Sequence, residues 1–301
     1  MASEPAHRTF TFAGSLDLKR TVGPLIGPSP ALGAISEREV WRASRTPEGP
    51  ATIHVVPVDS GIEAAAWGEG ASWALQQLPD LLGLDDDPAS FKPDNGLVRD
   101  LHLRALGMRF GATRSVFEAL VPTILGQKVT TKESHRSYRR LVAAFGEKAP
   151  GPGDFSLPPA PEVLAELPYF DYHPLGIERK RADIIRRVAQ RAERLEEVST
   201  MAASDAVKRL MAFDGIGPWT AAFVMAASRG DADAVPVGDY HLPNMVAWAL
   251  AREPRADDAR MLELLEPYRG HRGRVIRLLK QAGVHAPKFG PRSTVRSFEQ
   301  T

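Results

Sequence analysis

Residues 210–239 read LMAFDGIGPWTAAFVMAASRGDADAVPVGD. Gly215 and Gly217 form a Gly-x-Gly turn, and Pro218 stands where a helix would begin. Glycine permits positive φ and close approach of another group, and proline suits the first helical position because its missing N–H costs nothing there. A tight turn feeding a helix N-terminus presents backbone N–H groups and the positive end of the helix dipole to an anion such as a phosphate. A lone carboxylate, Asp239, closes the segment after Gly238. A Rossmann fingerprint does not fit, because the third glycine is missing and the preceding residues have helical rather than strand character.

Outward from this segment the pattern is helical. Apolar spacing predicts helices over 115–126, 130–145, 177–195, 203–213, 218–228, 241–251, 256–265 and 270–282. The stretch 147–161 is rich in proline and glycine and is expected to be a loop. The first 85 residues or so instead carry short alternating runs at 9–12, 40–44, 52–57 and 62–67, expected to be strands, then a helix over 72–82. The expected class is α+β, mainly α: an N-terminal antiparallel-sheet domain over 1–87 and a helical core over 88–286. LDDDPAS at 84–90 marks the boundary, and 287–301 forms a polar, aperiodic tail expected to be disordered.

Composition narrows the function. Of 301 residues, 43% are hydrophobic and 25% charged, as in a globular protein. There is no cysteine, which excludes disulfides, thiolate metal sites and an iron–sulfur cluster. No signal-peptide core and no apolar run of membrane-spanning length stands out, so the expectation is a cytoplasmic protein with no membrane partner. A Walker motif is missing as well. Net charge is only +1, yet cations cluster at 128–140, 179–194 and 269–296, either as a one-sided footprint for a polyanion or as solvated helix faces.

Asp239 has two compatible readings. Aspartate is a preferred helix cap, and it precedes a predicted helix. A carboxylate held by capping N–H groups is also ionised and oriented. Beside a sugar carbon losing its base, it would stabilise the positive charge that develops and orient a water.

These motifs resemble the helix-hairpin-helix, Gly-Pro-Asp superfamily of DNA glycosylases, in particular the bacterial enzymes of the 3-methyladenine glycosylase II type. The resemblance rests on L-x-x-F-x-G-I-G-P-W-T-A-A with Asp239, on FEALVPTILGQKVTTKES (117–134), on LGIERKRADIIRRVA (175–189) and on WRASRTPEGPATIHVVPV (41–58). It implies two helical subdomains around a cleft. It implies Asp239 as the catalytic carboxylate, with Trp219, Phe223, Tyr240 and Arg277 around an extruded base. Gly215, Ile216, Gly217 and Thr220 would form the phosphate hairpin, and Gln127 and Lys128 would touch DNA. No cofactor is implied, though a monovalent cation on the carbonyls of Met211, Phe213 and Ile216 is. The implied partner is double-stranded DNA with damaged bases, met by a monomer in the bacterial cytoplasm at the nucleoid.

Relatives that also nick the strand carry a lysine two residues after the second hairpin glycine, where this chain has Trp219. Without that amine no Schiff base forms by that route, so the expectation is a monofunctional enzyme of base excision repair that leaves an abasic site. Alkylated purines are the expected substrates, since positive charge on a base makes it a good leaving group. Two positions depart from the family pattern. Lys128 stands where relatives insert an apolar residue or glutamine into the base stack, and Arg277 stands near a pocket tryptophan of some relatives. Arginine suits a neutral base with carbonyl acceptors better than a cationic one. The alternative reading is a glycosylase-fold protein that binds damaged or bent DNA without cutting. His241 and His271, near the expected cleft, read as structural.

Overall fold

The computed structural model describes residues 4–59, 61–94 and 96–287. The tail expected to be disordered lies, from residue 288 on, outside the described residues.

Five strands, β1 (Ala6–Thr11), β2 (Gly33–Ile35), β3 (Val40–Thr46), β4 (Gly49–Val58) and β5 (Gly61–Trp67), form one antiparallel sheet in the order β1-β5-β4-β3-β2. Register pairs Val40 with Val55 and Val55 with Ala64, which puts these residues with Ile53 and Ile62 on one buried face. The helix expected over 72–82 is two pieces, Ala71–Gln76 and Leu78–Leu81. Pro79 has no N–H for the Leu75 carbonyl, and Arg8 of β1 takes that carbonyl with Nη1 at 2.6 Å. On the sheet's other face Trp41 stacks on His54 at 3.9 Å and on Trp67 at 5.6 Å. The expected loop 147–161 covers this stack and is not wholly irregular. Glu147–Lys148 pairs with Ser156–Leu157, and a helix, Pro161–Glu166, follows.

The remaining chain is helical: α1 (Gly96–Leu103), α2 (Val116–Leu125), α3 (Thr131–Phe145), α4 (Arg179–Ala189), α5 (Ala203–Met211), α6 (Pro218–Arg229), α7 (Leu242–Ala251), α8 (Asp258–Leu265) and α9 (Arg272–Gln281). Thr130 starts α3 with a reciprocal capping box to Glu133. The single helix expected over 177–195 is broken at Gln190 and Arg191, and resumes as Ala192–Glu196. The bend carries Glu196 to the start of α2, where its carboxyl accepts the Val116 and Phe117 N–H groups at 2.7 and 2.8 Å.

Three large apolar cores result among the described residues, beside a small cluster of Ala43, Ala149 and Leu157. One lies under the sheet. A second joins α2 to α6 through Leu120, Ile124, Leu141, Ile185 and Val224. The third joins α1 to α7, α8 and α9 through Met108, Val246, Met261 and Leu279, so its subdomain is assembled from segments on both sides of the second core in sequence. The Asp239 loop runs between the second and third cores. The sheet is tied to α2 by Glu118, which pairs with Arg42 Nη2 at 2.5 Å and accepts the Arg45 N–H at 2.8 Å.

Candidate active site

Helix α5 ends in two tight turns, with Phe213 N–H donating to Leu210 O and Ile216 N–H to Phe213 O. Gly215 adopts φ +93°, and a Cβ there would lie 2.4 Å from Ile184 Cδ1, so the hairpin closes only with glycine. Gly217 differs. Its φ is −99°, and a Cβ would meet nothing within 4 Å. Pro218 opens α6, and no side chain caps the first turn. First-turn amides lack intrahelical acceptors, so an open, dipole-favoured place for an anion remains in front of Gly217. Ile216 is buried and anchors the turn in the second core.

Thr220 and Gln127 are placed otherwise than as direct DNA contacts. Thr220 is 2% exposed, and its hydroxyl accepts from Gln127 Nε2 at 3.0 Å. The same amide nitrogen donates to the Gly215 carbonyl at 2.8 Å. Gln127 therefore ties the loop after α2 to the hairpin. Next to it, Lys128 is exposed and takes a left-handed backbone at φ +58°, an uncommon conformation for a residue with a side chain.

The hairpin's carbonyls suit the implied cation. Met211 and Phe213 lie at the C-terminal end of α5, where carbonyls lack helical donors and the dipole favours positive charge. The Phe213 oxygen accepts one N–H and has a second lone pair.

Asp239 is half-buried in front of α7. Oδ1 accepts the His241 and Leu242 N–H groups at 2.8 and 3.0 Å, and Oδ2 accepts the Trp219 indole N–H at 2.9 Å. Burial alone would push this carboxyl up. The indole, the two amides and the charge of Lys280 more than offset it and hold Asp239 below its ordinary value. Capping and ionisation are one arrangement here.

The Trp219 ring lies edge-on to Phe223, centroids 4.8 Å apart, and its far side abuts Gly126, where a Cβ would sit 3.3 Å away. Tyr240 is not brought to this wall. Its neighbour's carboxyl is folded inward, and Tyr240 itself points out, 85% exposed, touching the His241 ring. Arg277 lies over Phe110 at 3.6 Å, and Lys280 Nζ is 5.2 Å from the Phe223 centroid. Phe110 and the role of Lys280 escaped the sequence reading. A signal was there: Arg274, Arg277 and Lys280 recur every three residues on a helix otherwise filled by Val275, Ile276, Leu278 and Leu279.

The basic clusters are in part neither solvated faces nor free footprint. Arg274 is fully buried on Asp86 at 2.5 Å, Arg272 pairs with Asp233, and Arg269 pairs with Glu266. Arg181, 3% exposed, donates to the Leu125 carbonyl at 2.8 Å. His271 holds Ser90 and Arg274 through its two ring nitrogens.

A glycine hairpin opening a helix, with a buried-edge carboxylate one helix later, defines a helix-hairpin-helix protein of the DNA-repair kind. Residues 121–269 match the family described as HhH-GPD superfamily base excision DNA repair protein. Through that segment the chain belongs to the HhH-GPD superfamily. It is 32% identical over 148 residues to the putative DNA-3-methyladenine glycosylase YfjP of Bacillus subtilis, a match covering 48% of this chain and 49% of that protein. More generally, the chain spans about half the length of the curated relatives it matches, from 34% to 64%. Its fold resembles that of the 3-methyladenine DNA glycosylase from Archaeoglobus fulgidus, with TM-score 0.77 at 19% identity over 91% of this chain and 97% of that one. It also resembles the 8-oxoguanine glycosylase/lyase of Clostridium acetobutylicum, with TM-score 0.69 at 15% identity over 93% and 98%. The fold is thus α+β, mainly α, and it is shared by glycosylases and glycosylase/lyases. No helix among the described residues is long and apolar enough to cross a membrane.

Proposed function

We propose that the protein is a monofunctional DNA glycosylase of base excision repair, acting as a soluble monomer on double-stranded DNA at the bacterial nucleoid. It extrudes a damaged, in the first place alkylated, purine and hydrolyses its N-glycosidic bond, leaving an abasic site. The carrying observation is Asp239, ionised and fixed by Trp219 and two amides at the mouth of α7. As the base departs with the bonding electrons, the sugar gains positive charge at its anomeric carbon. The Asp239 carboxylate faces that charge, stabilises it and orients the water that adds there, whose proton is lost to the medium or the carboxylate.

Trp219 and Phe223 wall the extruded base, whose removal from the stack costs a few kcal/mol. The amides ahead of Gly217 grip a phosphate without reading sequence. Lys128 reaches toward the gap left in the duplex, and Gln127 acts by holding that loop against the hairpin. The carbonyls of Met211, Phe213 and Ile216 would hold a monovalent cation, and no other cofactor is needed. Trp219 supplies no amine at the hairpin position, which favours hydrolysis over the lyase route.

The test is a product assay on duplexes bearing single lesions, comparing wild type with Asp239→Asn. Strand breakage only after alkali, and only with wild type, is expected. Breakage without alkali would remove the monofunctional reading. Binding to lesions without any product would replace the enzyme by a damage-binding protein.

A further inference from the structure

Two cations lie on aromatic rings beside the Asp239 site, and one of them, Lys280, feels the charge of Asp239. Arg277 and Lys280 are one turn apart on α9, so they share a face of that helix. The Lys280 ammonium lies over Phe223, the ring that packs on Trp219, and the Arg277 guanidinium lies flat on Phe110. The carboxylate that could neutralise Arg277 is Asp86, and Asp86 is committed to Arg274. Arg277 Nη1 is buried with no hydrogen-bond partner. Burial, with repulsion from Arg274, brings the Arg277 guanidinium down to about 10. Burial likewise lowers Lys280, against the pull of Asp239 and with a push from Arg277. At neutral pH the Arg277 guanidinium remains charged.

A purine with a fixed positive charge is badly served by such a wall. The ring faces that would attract a cation are already covered by cations, Phe110 by Arg277 and Phe223 by Lys280. A unit charge roughly 6 Å from either cation, at an effective dielectric constant of ~20, is repelled by about a hundredfold, offset in part where Asp239 acts on Lys280. A neutral purine meets the opposite situation. Its ring nitrogens, and in hypoxanthine the exocyclic oxygen, are acceptors, while the Lys280 ammonium and the unsatisfied Arg277 Nη1 are donors. Donation to the departing base also helps most where the base carries no charge to make it leave.

Within the glycosylase reading, on which this rests, we propose that Lys280 and Arg277 are specificity-determining residues that select neutral damaged purines over purines with a fixed positive charge. 1,N6-Ethenoadenine and hypoxanthine represent the first class, and 7-methylguanine the second.

The experiment measures single-turnover excision of ethenoadenine, hypoxanthine and 7-methylguanine from otherwise identical duplexes, corrected for uncatalysed release. Wild type, Lys280→Gln and Lys280→Arg are compared. The Lys280 side chain keeps solvent-exposed surface although its ammonium is desolvated, and thermal melting checks that its variants stay folded. Wild type is expected to favour the neutral lesions. Lys280→Gln is expected to shift the neutral-to-cationic rate ratio at least tenfold toward 7-methylguanine, and Lys280→Arg to preserve the ratio. A wild type that favours 7-methylguanine, or a ratio unmoved in Lys280→Gln, overturns the proposal while leaving the glycosylase standing. Excision of none of the three lesions, with DNA binding retained, overturns both.

Discussion

Replacing Trp219 with phenylalanine removes the side-chain hydrogen bond that fixes Asp239. An aromatic ring and the two capping amides remain, while the indole donor to Oδ2 at 2.9 Å is lost together with the ring edge that abuts Gly126. A hydrogen bond to a charged, partly buried group is worth ~1.5–3 kcal/mol. Burial already pushes the Asp239 carboxyl upward, and the indole is the largest force opposing it. Trp219→Phe should therefore raise this carboxyl toward and past its ordinary value. The sign follows for both rate and stability. A carboxyl held below its unfolded value stabilises the fold above that value and loses this as pH falls through the folded one. The variant should lose about 1.5–3 kcal/mol from this bond at neutral pH and much less of it in acid. The acid limb of the excision rate should move up with it, read by single-turnover assays across the acid-to-neutral range. A uniform drop in rate at every pH, with the acid limb in place, would refute this. It would mean that Trp219 acts through packing and that Asp239 is not the titrating group.

The two hairpin glycines should separate folding from binding. Gly215→Ala meets Ile184 and a positive φ, and should cost on the order of 2–4 kcal/mol in urea denaturation. Gly217→Ala meets nothing and should leave stability within about 1 kcal/mol, yet weaken DNA binding in a titration because the methyl stands where a phosphate approaches. Arg274→Met leaves Asp86 buried and unpaired and should cost about 3–5 kcal/mol, against less than about 1 kcal/mol for the exposed Arg269→Met. Burial pushes Glu196 up to about 7, against the two amides it caps. Between its ordinary value and 7 the folded chain holds the extra proton, so stability should fall as pH rises through that window, and Glu196→Gln should flatten the slope.

What the sequence disclosed was local grammar. The turn at Gly215–Pro218, the capping of α3 by Thr130 and the alternation of β3 to β5 depend on neighbours a few residues away, and these elements formed within three residues of expectation. What it withheld depends on distant partners. Arg274, from a cluster that read as a polyanion footprint or a solvated face, meets Asp86 across 188 residues, and Arg42 meets Glu118 across 76, so both are interior fasteners. Tyr240 follows Asp239 directly, yet its ring turns the other way once the carboxyl folds onto α7. The break at Pro79 was visible as a proline, but not that Arg8 would take up the stranded carbonyl.

The Gln127 amide sets a fixed gauge. It fastens the loop that carries Lys128 to the glycine turn, so under the proposed function the spacing between the phosphate site and Lys128 is set before DNA arrives. A straight, stiff duplex would have to deform to span both points at once, while a lesion-softened step yields cheaply. Discrimination would then begin as mechanical compliance, before any base has reached Asp239.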